Sequence, residues 1–419
     1  MVGQLQGDPT ATTREPQGTE ARPLAVDLAL YALSAVFALV TAASSTLAPH
    51  RAWGAIAVFG YAAAALCVCV QMLARRGGIA GRAVLTALAW VATTLVPLGL
   101  LAVRGQAQEE VIVVEHAGQR LLETGTPYLD RTAIAALPAD ERLLGYVPYQ
   151  PGMALFGLPR ALAGDVWWAD ARVWFAVATA AVLVAALAVL APRVHGAALV
   201  RAAQAATVLP VCALTLAVGG DDLPVLALCL LALAFAAVGR SLAAGVAVGL
   251  AAALKLFAWP VALVLLAYAA TRGRRALVAY AAPALGLPVA AVLPAVIVNP
   301  GSAVENLVRF PLGHGLVGSP AASPFPGHLI ATALPAGRVV AAALLVVAGL
   351  LIGWRLLRRP PRDAGSAALI CAYGLTAAIA LMPATRFGYL LYPVAYLAWR
   401  PALRPSGSRS RVARRTQGG

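Results

Sequence analysis

Apolar runs recur along almost the whole chain, divided by short basic turns and by two longer polar intervals. A helix of about twenty apolar residues matches the roughly 30 Å hydrocarbon core of a bilayer. The pattern therefore predicts an all-α polytopic transmembrane helical bundle of about 12 spans. The expected spans are 24–44, 53–74, 82–103, 171–191, 198–218, 222–239, 241–254, 256–271, 275–298, 339–357, 365–383 and 386–400. Segment 241–254 is short for a full crossing and reads as a half-helix or re-entrant piece leading to Lys255. Pro224, Pro260, Pro283, Pro288 and Pro294 predict kinked or broken helices, tolerated where neighbouring protein satisfies the backbone. Around a single membrane domain, 23–400, residues 1–22 read as a disordered cytoplasmic tail and 401–419 as a basic cytoplasmic tail. The first run is too long, and lacks a cleavage site, to be a removed signal peptide.

Composition narrows the class. The chain is 61% hydrophobic and only 12% charged, whereas soluble domains carry about a quarter charged residues. A net charge of +15 invites a nucleic-acid partner, but the arginines lie in short clusters between apolar runs, as topology signals do. With the N-terminus cytoplasmic, Arg75, Arg76, Arg82, Arg193, Arg201, Arg272, Arg274, Arg275, Arg355, Arg358, Arg359 and Arg362 all fall inside. The unusual polar features fall outside: the 104–165 loop with short helices, Asp221–Asp222, Lys255, the 299–338 loop and Arg386. Cys67, Cys69, Cys212, Cys229 and Cys371 lie in apolar segments without metal-site spacing and read as small buried hydrophobes.

The first outer loop holds Glu109, Glu110, Glu115, Glu123, Asp130, Asp140, Glu141 and Asp165, eight of the 17 acidic residues. Within it, Val111, Val114, Gly118 and Leu121 fall at helical spacing, so 109–123 reads as a short helix stopped by Gly125. Glu110 opens its apolar face, while Glu115, Gln119 and Glu123 project elsewhere. The piece YVPYQPGMALFGLPRAL, Tyr146 to Leu162, is broken by Pro148, Pro151 and Pro159 and followed by tryptophans; it suits an interfacial helix on the outer leaflet.

Candidate chemistry follows from these placements. Transfer of a sugar from a lipid phosphate needs a carboxylate to deprotonate the acceptor hydroxyl and cations or amides to hold the leaving phosphate. Glu109 and Glu110 stand at the depth of a lipid headgroup, where they could serve as base or simply stabilise the helix dipole. Lys255 is the lone lysine among 32 basic residues and lies among membrane segments, placed either for a phosphate or to snorkel to the interface. Asp221 and Asp222 could bind sugar, act as base, hold a metal or cap the following helix; two carboxylates without a third ligand are weak for metal. Arg386 suits a pair of phosphate oxygens, with Tyr389 and Tyr392 as interface anchors. Tyr128, Arg309 and His314 are further candidates for contact with donor or acceptor, and no metal site or cofactor is expected.

Three stretches, EEVIVVEHAGQRLLETGTPY, YVPYQPGMALFGLPRAL and the long run from GGDDLP through LKLFAWP, carry a resemblance. Through them the chain resembles the GT-C superfamily of polytopic glycosyltransferases, and within it the actinobacterial polyprenyl-phosphate-mannose-dependent alpha-mannosyltransferases. That family normally has aspartate where Glu109 and Glu110 stand, and Gly-Gln and Asn where Gly220-Asp221-Asp222 stand. The resemblance implies a cell-membrane hexosyltransferase, mannose foremost. It would be inverting, would use a polyprenyl-phosphate-sugar donor and would act on a glycolipid or glycan acceptor at the extracytoplasmic face. Glu110 or Glu109 would be base, and Lys255 and Arg386 would bind phosphate. Two other classes compete: a transporter or flippase of a lipid-linked sugar, which needs no base, and a non-catalytic envelope-assembly protein.

Overall fold

A segment that is apolar all round can face lipid or lie inside protein, and the chain uses both options. The computed structural model describes residues 21–404, so most of the 1–22 tail and of the 401–419 tail lies outside the described residues. Among the described residues the chain is helical, with one isolated bridge between Ala322 and Thr385. All twelve expected segments are helical, but 7 are long and apolar enough to cross a membrane. These are Arg22–Ser44, Ala48–Leu73, Ile79–Val103, Ala171–Arg193, Arg274–Val298, Gly337–Arg358 and Ala364–Leu381. Gly196–Ala206 and Pro210–Val218 form a pair bent by 47° that could count as an eighth.

The other four, Asp222–Ala237, Ser241–Leu254, Trp259–Ala270 and Leu391–Trp399, are short. The hydrophobicity of the first reflects burial in protein, whereas the other three also keep an exposed apolar face, as at Leu242, Leu263 and Leu397. Leu223, Val225, Leu230 and Leu233 of the first are almost completely enclosed. At 1.5 Å per residue the 14 residues of Ser241–Leu254 run about 21 Å, well under the roughly 30 Å hydrocarbon thickness. The longer Ala171–Leu190 and Arg274–Val298 pack beside Asp222–Ala237 and Ser241–Leu254.

Small residues permit that packing. A Cβ on Gly245 or Gly249 would collide with the Tyr280 or Pro283 carbonyl, so the two helix backbones meet there directly. Arg274–Val298 runs unbroken through Pro283, Pro288 and Pro294. The chain instead breaks before Pro210 and at Lys255, and Pro260 occupies a first helical turn, where its missing N–H is not needed.

Two arginines expected on the same face do meet. Asp27 receives Arg82 Nε at 2.5 Å, Arg201 at 2.7 Å and Gln204 at 3.0 Å, with Asp27, Arg82 and Gln204 buried. Each arginine compensates the buried carboxylate, and three helices are tied together at one end.

In the first polar interval, Glu109–Thr124 is a helix ended by Gly125 at φ +76°, a left-handed stop that suits glycine. The 146–162 piece departs from the expected surface helix. It forms a 3-10 turn, Pro151–Gly157, then Leu158–Ala163, with Pro151, Met153, Ala154 and Gly157 buried. Gly118 and Gly157 bring its backbone against the Glu109–Thr124 helix, while Gly152 lets it approach the Ala253 carbonyl. Proline kept it from forming a long amphipathic helix, and glycine let it become a wedge. Only parts of it, such as Leu155 and Leu162, remain exposed.

Candidate active site

The short helices place their polar ends together. Ser241–Leu254 stops at Lys255, whose backbone is extended (φ −155°, ψ 145°) before the next helix begins. The wedge fixes this break: the Gln150 amide donates to the Leu254 carbonyl at 3.1 Å. Lys255 is 7% exposed, so it does not snorkel. Its Nζ donates to Asp221 Oδ1 at 2.7 Å and Asp222 Oδ1 at 2.6 Å. The two carboxylates turn to the ammonium and make no side-chain cap on the Asp222–Ala237 helix.

Aromatic rings enclose that pair. Lys255 Nζ lies 5.3 Å from the Tyr149 ring centre and 5.5 Å from that of Tyr389, within cation–π range. Phe257 packs on Tyr389 and Tyr392, at 4.6 and 5.2 Å between centroids. Tyr392 donates its hydroxyl to Asp222 Oδ1 at 2.8 Å and is wholly buried. Tyr389 and Tyr392 therefore wall the site and are not membrane-interface anchors. The sequence placed them near Arg386 correctly but gave no sign of which way the turn would fold.

A second ion pair adjoins the first. Arg386, from the segment before Leu391–Trp399, pairs with Glu110 Oε1 in the first turn of Glu109–Thr124. The charges of Asp221, Glu110 and Arg386 all reach Tyr149, so the two pairs share one neighbourhood. Glu110 Oε2 and Asp221 Oδ2 are both buried without a hydrogen-bond partner. Such atoms cost free energy and often mark where a ligand acts.

Close backbone approach sets this geometry. Gly219 has φ +103°, and a Cβ there would collide with Val111 and with Arg172. The Gln108 amide donates to the Val218 carbonyl at 3.1 Å, seating the turn that carries Glu110 beside Asp221. Arg172, itself buried, pairs with Asp170 at 2.7 Å and donates to the Gln106 carbonyl at 2.6 Å. Sequence reasoning missed Arg172; an arginine opening a long apolar helix two residues after an aspartate was the available signal.

The remaining candidates separate. Glu109 is exposed, although it neighbours Glu110. Tyr128 is buried and donates to the Tyr149 carbonyl at 2.7 Å, so it braces a wall of the site. Glu115 is turned to Arg160 and to the Ala171 amide, which donates to it at 3.1 Å. Burial raises its pKa, opposed by that amide. Arg309 and His314 are exposed and belong to another cluster around Glu305.

Glu305, also missed, is the only carboxylate of 299–338 and is 1% exposed. It accepts from Tyr146 at 2.9 Å and Arg131 at 3.1 Å, while Asn306 accepts from the Val147 amide at 2.8 Å. Tyr146 stacks on Phe310 at 4.2 Å. This hub joins the 104–165 and 299–338 loops. Among the described residues, no three His, Cys, Asp or Glu side chains gather as a metal-holding group.

Many apolar helices around a recessed cluster of carboxylates and cations define a multi-pass membrane protein with acid–base groups at one end of its short helices. Residues 146–383, more than half of the chain, match the model of glycosyltransferase family 87. The chain belongs to that family, and it is a membrane glycosyltransferase. No curated protein and no solved structure matches it. The matched region contains Asp221, Asp222 and Lys255; Glu110, Tyr128 and Arg386 lie outside it and join the same site through the fold.

Proposed function

We propose that the protein transfers a hexose, mannose foremost, from a polyprenyl-phosphate sugar to a glycolipid or glycan acceptor on the extracytoplasmic side of a bacterial cell membrane. In this reading it has the GT-C architecture, its four short helices complete a set of twelve membrane segments, and both termini are cytoplasmic. The observation that carries the chemistry is the pairing of Arg386 with the largely enclosed carboxylate of Glu110, whose second oxygen is buried and has no partner.

The mechanism follows from charge exchange. The donor phosphate draws Arg386 away from Glu110 and reaches toward Lys255, held between Asp221 and Asp222. Freed from the guanidinium, Glu110 accepts the proton of the acceptor hydroxyl. The acceptor oxygen attacks the anomeric carbon as the carbon–oxygen bond to phosphate breaks, inverting that centre. The bonding electrons leave on the phosphate, where Arg386 and Lys255 stabilise the new charge. No metal or cofactor is required by this scheme. Asp221, with its own buried unpartnered oxygen, is the second candidate for the base.

The test is transfer of labelled mannose from polyprenyl-phosphate mannose in membranes. Glu110→Gln should lower the rate by roughly 10²–10⁴-fold, the usual contribution of a general base, while exposed Glu109→Gln should leave it nearly unchanged. Loss in Asp221→Asn with Glu110→Gln active would move the base to Asp221. Absence of transfer by the wild type would reject mannose. Retention of the starting anomeric configuration would reject single displacement.

A further inference from the structure

Three of the four short helices lead at their opposite ends to a second feature. Asp222–Ala237 runs from the carboxylate cluster to Ala237, Val238 and Gly239, and Trp259–Ala270 runs away from Lys255 toward Arg272. Leu391–Trp399 similarly leads from Tyr392 toward Arg404. There the chain surrounds an open cavity of about 660 Å³ whose lining includes Arg193, His195, Arg272 and Arg404. Among the described residues, none that lines it is acidic. The site at Lys255 is roughly 21 Å away along Ser241–Leu254, so the cavity is separate from it.

Its polarity is divided. The arginines and His195 are exposed at the rim, whereas Pro192, Val194, Ala237 and Val238 offer accessible apolar surface on the floor, backed by buried Leu190 and Leu403. A small hydrated anion gains from the rim alone. An amphiphile gains from both, with phosphate among the guanidinium groups and its glycerol and upper chain on the apolar floor. The end is basic beyond the cavity: Arg274 and Arg275 follow Arg272 and are exposed. A strongly positive surface of this kind attracts anionic lipid headgroups.

We propose that this cavity is a binding site for the phosphate headgroup of an anionic phospholipid, on the membrane face opposite the transfer site. Guanidinium forks hold the phosphate oxygens, and the apolar floor distinguishes a lipid-borne phosphate from free phosphate. This assignment does not depend on the transfer reaction or its donor.

The full chain, purified in neutral detergent, would be titrated with phosphatidylglycerol and phosphatidylcholine, with bound lipid counted by native mass spectrometry. Phosphatidylglycerol should bind preferentially. Combined Arg193→Gln, Arg272→Gln and Arg404→Gln should weaken it by about tenfold or more, while the corresponding lysine replacements, which keep the charge and lose the fork, should fall between that variant and the wild type. Arg75→Gln with Arg76→Gln, basic residues outside the cavity lining, should have little effect. Equal binding of the two lipids would overturn the proposal, as would equal losses from the cavity and Arg75/Arg76 variants. Displacement of phosphatidylglycerol by excess inorganic phosphate as readily as by more lipid would also overturn it, assigning the site to free phosphate. A Val238→Trp variant, at a partly exposed lining position, fills the floor without changing charge and should weaken phosphatidylglycerol as well; unchanged binding there would overturn the role given to the floor.

Discussion

Removing the charge at Lys255 leaves Asp221 and Asp222 facing one another in a buried setting. Lys255→Met should destabilise the protein by about 3–5 kcal/mol, as expected when one partner of a buried ion cluster is deleted. Adding Asp221→Asn and Asp222→Asn should recover most of that stability without recovering transfer. Thermal unfolding in detergent beside the transfer assay separates the two effects. Lys255 was legible as a candidate because a single lysine in apolar surroundings has few structural uses. Its partners were legible only as neighbours of a helix start: the turn of Ser241–Leu254 back along Asp222–Ala237, which joins residue 255 to residues 221 and 222, is a tertiary event. Helical periodicity already set Glu110 on the apolar face of its helix, while the structure leaves Glu109 exposed and shows what the turn packs on, Val111 against Gly219.

Among the elements, close glycine contacts decide how precisely the site is held. Gly219→Ala introduces both a side chain at positive φ and a collision with Val111, so it should cost at least about 1–3 kcal/mol and lower transfer together with Glu110 positioning. Gly249→Leu drives a side chain into the Pro283 carbonyl and should disrupt the contact between two helices. Reduced yield of folded protein in size-exclusion chromatography would register the second change. The loop hub should behave differently. Glu305→Gln removes the charge facing Arg131 and weakens the Tyr146 contact, loosening the outer loops while the membrane helices stay folded. Faster protease cleavage within 299–338, with little change in the main unfolding transition, is the expected result. The helix at 109–123 was readable from periodicity and its glycine stop. The wedge after Tyr146 was not, because its glycines signal close approach without naming the surface approached.

For the whole molecule, the alternation of apolar runs was enough to establish a helical membrane protein, and every expected segment is helical. Their number as crossings was less legible, since burial in protein and burial in lipid select the same residues. The arginine pattern is a sharper guide to sidedness, and Arg82 and Arg201 meeting at Asp27 agrees with it. In a cysteine-free background, Ser319→Cys and Gly77→Cys should react with a membrane-impermeant maleimide from opposite sides. Labelling from the same side would overturn the proposed arrangement of spans.

The shortness of the central helices has an electrical consequence. Where water enters a recess at each end of Ser241–Leu254, the transmembrane voltage falls across about 21 Å instead of roughly 30 Å, making the local field about 1.4 times steeper. A phosphate that moves into or out of such a recess crosses part of that drop, and a full elementary charge moved through 100 mV is worth about 2.3 kcal/mol. Turnover in proteoliposomes should then respond to an imposed diffusion potential. A rate indifferent to voltage would mean that the charged step takes place outside the steep part of the field.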